Sequence, residues 1–326
     1  MTAPVEPVFL LSMLRSGSTL LQRICAAHPR IAATAEPWVL LPVLYSLRAE
    51  GVYAEYHHYW AHRAIGDFIG ELPRGEADYR DAIRAFATDL YTRAADEGRT
   101  HFLDKTPSYS LIAQDVLKTF PDAKVIVLFR NPLAIIASIV QSFCDRRWKI
   151  YKYKPELFTG LANLVEICRD HSDRVLQVRF EDLLGDTEAQ VRRICAHLAL
   201  DFEPTMLDSF GDVKFNGRMG DQRGRKAYGG VARQPLEKWK ADLVSPVRRV
   251  WCKRYLKWIG PERLALMGYD HDTLMRELYT YRAWSRPIPS DLWHMTAGAI
   301  KTVIEPRIWR DKWRRRHDRR RIFEHY

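Results

Sequence analysis

A short loop near the amino terminus combines residue types that bind phosphate. Residues 12–19 contain Arg15, Gly17 and several hydroxyl side chains, between a short apolar run that starts at Val8 and a stretch with helical spacing. A loop at the start of a helix directs backbone N–H groups toward an anion, and the helix dipole favours negative charge there. The sequence therefore predicts a phosphate-binding strand, loop and helix over residues 8–28.

The loop departs from the ATP-binding pattern G-x-x-x-x-G-K-[ST]. Gly17 and Thr19 match the pattern, but Ser12 replaces the first glycine and Ser18 replaces the lysine that reaches the β- and γ-phosphates. Arg15 restores a cation, and its guanidinium can make a forked contact to phosphate or sulfate oxygens. An ordinary ATPase loop is therefore disfavoured, although a small-molecule kinase of the same architecture stays an alternative.

Residues 15–20, Arg-Ser-Gly-Ser-Thr-Leu, resemble the 5′-phosphosulfate loop of the sulfotransferase superfamily, above all its bacterial branch and the tyrosylprotein sulfotransferases. Arg130 closes an apolar run and Ser138 follows eight residues later, which is similar to the family's 3′-phosphate-binding pair. The resemblance covers roughly residues 8–270 in about five short blocks. It implies 3′-phosphoadenosine 5′-phosphosulfate (PAPS) as sulfuryl donor, without a metal, and these binding residues: Arg15, Ser16, Gly17, Ser18, Thr19, Leu20, Arg130 and Ser138.

The resemblance also implies which residues carry out the transfer. Glu36 stands where tyrosylprotein sulfotransferases have their base, so we expect it to accept the proton of an acceptor hydroxyl. Lys105 matches the family's lysine beside the transferring sulfuryl group, and Arg15 is expected to share in charge stabilisation. The alternative for Glu36 is a helix-capping carboxylate, and that for Lys105 is an ion pair with Asp104. A histidine base is a third option, offered by His57, His58 and His62.

Three further matches are weaker. Phe180 replaces a tyrosine that lies near the adenine in the family, and packing in the core is an equal alternative. Arg225 and Lys226 loosely resemble a segment that closes over the 3′-phosphate, and a solvated loop fits them equally well. Trp239 matches a recurring tryptophan, for which we prefer the role of a core anchor.

The elements that position these residues follow from apolar runs that alternate with helical patterns. The predicted strands are residues 8–12, 31–33, 101–103, 125–129 and 175–180, and the predicted helices include one opened by Asn131 and Pro132. This order predicts an α/β fold with a P-loop-like central parallel sheet flanked by helices and a helical C-terminal extension. Residues 1–282 would form the sulfotransferase domain, with an acceptor-site insertion over residues 40–98.

The carboxyl-terminal extension, residues 283–326, is basic. Residues 306–321 hold nine Arg or Lys against two Asp, so they supply +7 of the formal net charge of +11. Together with Trp309 and Trp313, this charge suits an anionic membrane surface, although a solvated tail is the common alternative. Nucleic acid is not expected as a partner.

The remaining expectations concern compartment and acceptor. The five cysteines are scattered without a CxxC pair, and no signal peptide or membrane-spanning run is evident, which favours a cytoplasmic protein at the inner face of the membrane. The acceptor is expected to bear a hydroxyl, on a carbohydrate or a lipid-linked group. A non-catalytic nucleotide- or membrane-binding module is the alternative from another class.

Overall fold

A parallel sheet of five strands lies at the centre of the protein. The computed structural model describes residues 3–48, 57–215, 237, 239–282 and 287–304. The strands are β1 (Glu6–Ser12), β2 (Ile31–Ala33), β3 (His101–Asp104), β4 (Lys124–Phe129) and β5 (Val175–Arg179). Their order is β2-β3-β1-β4-β5, and every pair is parallel. Consecutive strands are therefore joined by crossovers, as the alternating sequence pattern predicts.

Helices connect and cover the strands. In the described ranges the α-helices are α1 (Ser18–Ala26), α2 (Leu40–Leu44), α3 (His58–Gly70), α4 (Glu76–Ala94), α5 (Ala113–Thr119), α6 (Pro132–Phe143), α7 (Leu161–Asp170), α8 (Phe180–Gly185), α9 (Thr187–His197), α10 (Thr205–Asp208), α11 (Trp239–Asp242), α12 (Pro246–Leu266), α13 (His271–Glu277) and α14 (Ile288–Ile304). Short 3-10 helices span Tyr45–Leu47, Pro107–Ile112 and Ile150–Tyr153, and a π-helical turn spans Glu156–Gly160. Within this part of the chain, no helix is long and apolar enough to cross a membrane.

Apolar side chains pack on both faces of the sheet. In β1, Val8 and Leu10 belong to the layer shared with α1, α8 and α9, whereas Phe9 and Leu11 belong to the layer shared with α5, α6, α7 and α12. Because successive strand residues point to opposite faces, a strand covered on both sides needs a nearly continuous apolar run. This requirement explains why residues 8–11 read as Val-Phe-Leu-Leu.

The carboxyl ends of the strands meet along one edge. Phe9 of β1 pairs with Asp104 of β3, and Ser12 of β1 pairs with Leu128 of β4. The segments that follow β1, β2, β3 and β4 therefore emerge at the same edge, where ligands of open α/β sheets bind.

The five predicted strands are all present, with small differences at their ends. The clearest correction concerns Phe180, which opens α8 instead of ending β5. Glu181 and Asp182 follow it in the first helical turn, where negative charge is favoured by the helix dipole. The strand therefore ends one residue earlier than its apolar run suggests.

The part of the chain after residue 236 is mostly helical where the structure describes it. Trp239 is buried in the apolar layer, which confirms its interpretation as a core anchor. Pro287 lies directly before α14, and Pro289 is its second residue. Arg225 and Lys226, together with Trp309 and Trp313, lie outside the described residues.

Candidate active site

The loop between β1 and α1 has the backbone geometry of an anion cradle. Arg15 and Gly17 have φ angles of 63° and 92°, and Gly17 caps α1 without a side-chain hydrogen bond. A Cβ at Gly17 would lie 2.2 Å from Cε2 of Phe180, so the position accepts only glycine. The Ser16 hydroxyl is buried and has no hydrogen-bond partner among the described residues. A helix N-terminus without a capping side chain and an unsatisfied hydroxyl both fit a bound phosphate oxygen.

Two arginines lie at this site, Arg15 in the loop itself and Arg130 directly after β4. Arg15 Nε donates a hydrogen bond to Ser138 Oγ on α6 at 3.1 Å, and its guanidinium carbon lies 5.4 Å from the ring centre of Phe143. Arg130, directly after β4, donates from Nη1 to the carbonyl oxygen of Arg15 at 2.9 Å. Its guanidinium carbon lies 4.7 Å from the ring centre of Phe180. The structure therefore brings together residues that the sequence places more than 100 positions apart.

Phe180 has a structural function in this arrangement. Its side chain is only 7% exposed, one side of the ring meets Gly17, and Arg130 lies over its face. These contacts support the packing alternative, and contact with an adenine ring stays a prediction.

The turn after β4 is fixed by residues that sequence reasoning missed. Glu181 Oε1 accepts a hydrogen bond from Asn131 N at 3.0 Å, and its Oε2 accepts one from Tyr269 OH at 2.6 Å. The Asn131 side chain in turn accepts hydrogen bonds from Leu133 N and Ala134 N and so caps α6. Burial, followed by the charge of Glu181, raises the pKa of Tyr269. Tyr269 and Glu181 are 88 residues apart, so no local pattern indicates their contact.

Glu36 and Lys105 form an ion pair at the neighbouring strand ends. Lys105 Nζ lies 2.8 Å from Glu36 Oε1, and the two side chains are 1% and 12% exposed. Trp38 Nε1 donates a hydrogen bond to the second oxygen, Glu36 Oε2, at 3.4 Å. The alternative pairing of Lys105 with Asp104 is therefore wrong. Glu36 is also not a helix cap, because α2 begins at Leu40 after Val39.

Two of the three candidate histidine bases face main-chain groups, and the third packs against aromatic rings. His58 Nε2 lies 2.6 Å from the carbonyl oxygen of Arg48, and His62 Nδ1 lies 3.5 Å from that of Ser46. The ring of His57 packs against Tyr59 and Trp60 at the start of α3. Glu36 is therefore the titratable side chain that the structure places at Lys105.

A buried carboxylate lies directly beneath this pair. Asp104 is inaccessible to solvent, and its oxygens accept hydrogen bonds from Tyr91 OH at 2.6 Å, Tyr109 OH at 3.1 Å and Thr106 Oγ1 at 3.3 Å. Burial raises the pKa of Asp104 to about 6, although these hydrogen bonds and the charge of Lys105 oppose the rise. The three hydroxyl donors around the carboxyl group are the partners that an ionised carboxylate, which only accepts hydrogen bonds, requires. Sequence reasoning missed this cluster, whose one local signal is Asp104-Lys-Thr-Pro.

Three basic side chains and the carboxylate of Glu36 thus lie at this edge. Arg15, Arg130, Lys105 and the start of α1 can hold anionic oxygens, and Glu36 can accept a proton. Among the described residues, no group of three or more His, Cys, Asp or Glu is placed to hold a metal ion. The arrangement suits transfer of an anionic group to a hydroxyl.

A comparison with solved structures finds sulfotransferases, at low identity and with TM-scores below 0.5. The sulfotransferase domain of the Synechococcus PCC 7002 olefin synthase is 25% identical, with a TM-score of 0.49 over 74% of this chain and 89% of that domain. The sulfotransferase from Alicyclobacillus acidocaldarius is 15% identical, with a TM-score of 0.47 over 84% of this chain and 99% of the other.

Sequence relatives and a match to a family model assign the chain to a protein family. Nodulation protein NoeE of Sinorhizobium fredii (strain NBRC 101917 / NGR234) is 28% identical over an alignment 301 residues long, which covers 83% of this chain and 68% of the relative. The omega-hydroxy-beta-dihydromenaquinone-9 sulfotransferase Stf3 of Mycobacterium bovis (strain ATCC BAA-935 / AF2122/97) is 28% identical over 145 residues, 40% of this chain and 36% of the relative. The sequence model of the Sulfotransferase family matches residues 7–204. Because this match spans more than half of the chain, the protein belongs to the sulfotransferase family and is a PAPS-dependent sulfotransferase.

Proposed function

We propose that Glu36 is the base of this sulfotransferase and that Lys105 and Arg15 stabilise the charge that develops during transfer. The single observation that carries the proposal is the ion pair of Glu36 with Lys105, 2.8 Å long, at the sheet edge that also holds the β1–α1 loop. Taking the charges of Lys105 and Glu36 out of water costs free energy, which their attraction to each other or to a bound ligand must offset. Bound PAPS would supply an activated sulfuryl group to this edge.

The donor site that we propose uses both arginine clusters. The 5′ phosphosulfate would lie on the start of α1, against the backbone and hydroxyls of Ser16, Gly17, Ser18, Thr19 and Leu20, with Arg15 beside it. The 3′-phosphate would lie between Arg130 and Ser138. The fit is supported by the unpartnered Ser16 hydroxyl and by the start of α1 at Gly17, which has no capping side chain. Arg225 and Lys226 remain candidates to close this site.

Glu36, Lys105 and Arg15 would have different roles in the transfer. The acceptor oxygen loses its proton to Glu36 while the new O–S bond forms and the S–O bond to the nucleotide breaks. Lys105 and Arg15 face the negative charge that builds on the departing oxygen, and their fixed positions require no reorganisation at that moment. Glu36 must exchange its contact with Lys105 for the acceptor hydroxyl, and the two groups are close enough for that exchange.

Replacing Glu36 tests the assignment. We expect Glu36→Gln to lower kcat by about 10²- to 10⁴-fold, because the amide cannot accept the proton. Affinity for adenosine 3′,5′-bisphosphate, measured by calorimetry, should stay unchanged. Glu97→Gln, at an exposed glutamate beyond α4, is the matched control and should keep full turnover. Full turnover by Glu36→Gln with unchanged acceptor affinity would remove Glu36 from the mechanism.

For the acceptor, we propose a hydroxyl on a carbohydrate, free or linked to a lipid. Two exposed rings stand near the reacting groups: Trp38 beside Glu36 and Phe143 beside Arg15, 36% and 46% exposed. Aromatic faces of this kind pack against the C–H faces of sugars and leave hydroxyls free to react. One relative is named for an omega-hydroxy compound, so acceptors other than sugars occur among similar proteins.

Radiolabel partition identifies the acceptor class. The protein is incubated with ³⁵S-labelled PAPS and a lysate, which is then separated into lipid, glycan, protein and small-molecule fractions. We expect label in the glycan fraction, or in the lipid fraction in a form that glycosidases release. Label confined to protein tyrosine or to small phenols would contradict a carbohydrate acceptor.

We also propose that the protein binds an anionic membrane surface at its cytoplasmic face. Leu292, Trp293 and Ile300 of α14 are 50%, 70% and 56% exposed, and their spacing places them along one side of the helix. The basic residues 306–321 follow directly in the sequence. Apolar anchors together with basic charge are the two signals that stable peripheral binding needs.

Vesicle sedimentation tests the membrane proposal. At low salt, the full chain should sediment with phosphatidylcholine vesicles that contain phosphatidylglycerol, and far less with phosphatidylcholine alone. Added salt and the change Trp293→Ala should each weaken this binding. Phe68→Ala, at a 59% exposed ring on α3, is the control. Equal binding to both vesicle types, or none to either, would end the proposal.

A further inference from the structure

The segment that carries Glu36 is tied to the buried carboxylate of Asp104. Tyr109 OH, which donates to Asp104 Oδ2, accepts a hydrogen bond from the backbone N–H of Leu40 at 3.0 Å. Thr106 Oγ1, which donates to Asp104 Oδ1, accepts one from the backbone N–H of Trp38 at 3.4 Å. Two hydroxyl relays therefore connect one carboxylate with both ends of residues 38–40.

The charge of Asp104 sets the direction of both relays. An ionised carboxylate only accepts hydrogen bonds, so the hydroxyls of Tyr109 and Thr106 must point their hydrogens toward it. Their oxygen lone pairs are then left to accept the N–H groups of Leu40 and Trp38. Asp104, Thr106, Tyr109 and Leu40 are buried, where an unmade hydrogen bond costs most, and the bond from the N–H of Trp38 is partly buried.

The backbone at Trp38 needs such support. Its φ angle of 58° lies in the left-handed region, which a bulky residue adopts only when its surroundings fix it. The relays hold the chain at Trp38 itself and two residues later. The Trp38 indole N–H in turn donates to Glu36 Oε2, so the position of Trp38 fixes the position of the carboxylate.

From these contacts we propose that Asp104 is a positioning residue, which acts through Thr106 and Tyr109 to hold Glu36 against Lys105. Asp104 adjoins Lys105 in the chain and reaches the Glu36 segment through the relays, so one buried group sets both halves of the pair. The inference rests on the proposed function of Glu36 as the base. Displacement of a reacting group by about 1 Å is enough to lower a rate about a hundredfold.

Two tyrosines offer a matched experiment. Tyr91 and Tyr109 both donate to Asp104 Oδ2, but Tyr91 belongs to α4, and its OH has no hydrogen bond to residues 36–40 within the described part of the chain. Tyr91→Phe and Tyr109→Phe therefore each remove one hydrogen bond to Asp104 Oδ2, and only the second also removes a relay. The measurements are kcat with the acceptor found by radiolabelling, the Kd of adenosine 3′,5′-bisphosphate, and Tm.

We expect the two variants to separate in turnover. Tyr109→Phe should lower kcat by about tenfold to a hundredfold with an unchanged nucleotide Kd, because the base is misplaced and the donor site is intact. Tyr91→Phe should lower Tm at least as much and keep kcat within about twofold of wild type. Equal kcat losses in both variants, or no loss in Tyr109→Phe, would overturn the inference.

A double-mutant cycle with Glu36→Gln separates positioning from general damage. If Tyr109 acts through Glu36, Tyr109→Phe should lower the residual kcat of Glu36→Gln no further. A full additional loss in that background would overturn the inference and leave the base assignment intact. Full activity of Glu36→Gln alone would instead overturn the base assignment, so the two failures are distinguishable.

Discussion

At the scale of single residues, two features of the structure require a glycine at position 17. Its φ angle of 92° lies where residues with a Cβ are strained, and the ring of Phe180 occupies the place of that Cβ. The ring is held in turn by Arg130 over its face. Gly17 therefore lets the loop pass close to Phe180 and keeps the start of α1 open to an anion.

We expect Gly17→Ala to weaken binding of adenosine 3′,5′-bisphosphate by about tenfold or more. The loop of the variant would relax away from the left-handed conformation, and binding would have to restore it at the cost of that strain. Calorimetric titration gives the Kd. Gly66→Ala, in the middle of α3 with open space around it, is the control and should raise Tm slightly while leaving the Kd unchanged. Wild-type affinity in Gly17→Ala would mean that the nucleotide does not use this loop.

The raised pKa of Asp104 leads to a prediction about the stability of the protein at acidic pH. Its pKa rises from an ordinary 3.8 to about 6 on folding, because burial penalises the charged form. The folded state therefore binds this proton more tightly than the unfolded state does. The resulting stabilisation is fully present below the ordinary pKa and is lost as the pH rises through about 6.

The comparison of wild type with Asp104→Asn isolates this contribution. As the pH falls from about 7 to about 4, the free energy of unfolding of wild type should increase, relative to that of the variant, by on the order of 3 kcal/mol. Urea unfolding at several pH values measures the difference. A difference that does not change with pH would show that the carboxyl group titrates as it does in the unfolded chain.

At the scale of elements, α14 is anchored by a buried ion pair. Arg248 on α12 donates from Nε and Nη2 to the two oxygens of Asp291 at 3.0 Å and 2.9 Å, and the Asp291 side chain is wholly buried. Arg248 also donates to the carbonyl oxygens of Asp242 and Arg146. One guanidinium thus joins α14 to three neighbouring parts of the chain.

Removal of Asp291 should therefore destabilise the protein strongly. We expect Asp291→Ala to lower the free energy of unfolding by about 3–5 kcal/mol, because it leaves the Arg248 charge buried without its partner. The control is Asp272→Ala on α13, where the carboxylate pairs with His271 but is 82% exposed, and it should unfold like wild type. Thermal and urea unfolding compare the two. Equal stability of both variants would show that α14 does not depend on this pair.

At the scale of the whole molecule, every cysteine side chain is enclosed. All five are buried free thiols, distributed over both apolar layers of the sheet. Burial raises the pKa of Cys168 to about 12 and that of Cys195 to about 11, so neither forms a thiolate near neutral pH.

The folded protein should accordingly resist thiol reagents. At mildly alkaline pH we expect reaction with 5,5′-dithiobis(2-nitrobenzoate) to be about a hundredfold slower than for a small free thiol, or slower still. The same sample in guanidinium chloride should release one equivalent for each of the five cysteines. Rapid modification of one thiol without denaturant would reveal local opening of its layer.

The sequence by itself determined the fold class, the strand, loop and helix within residues 8–28, and the family. The pattern around Arg15 and Gly17 and the five apolar runs are local signals, because a strand covered on both faces and an anion-binding loop each constrain consecutive residues. The predicted parallel sheet, the expected sulfotransferase family and the PAPS donor are confirmed. The division into domains and the individual site residues stay predictions.

Only the tertiary structure decided which side chains face one another. Lys105 is adjacent to Asp104 in the chain but pairs with Glu36, 69 residues away, because β2 and β3 are neighbours in the sheet. The relays through Tyr109 and Thr106, and the anchoring of α14 by Asp291, likewise join distant segments. A local sequence pattern reflects the requirements of the single strand, helix or loop that contains it. Partners across the sheet are set by strand order and register, which no single segment encodes.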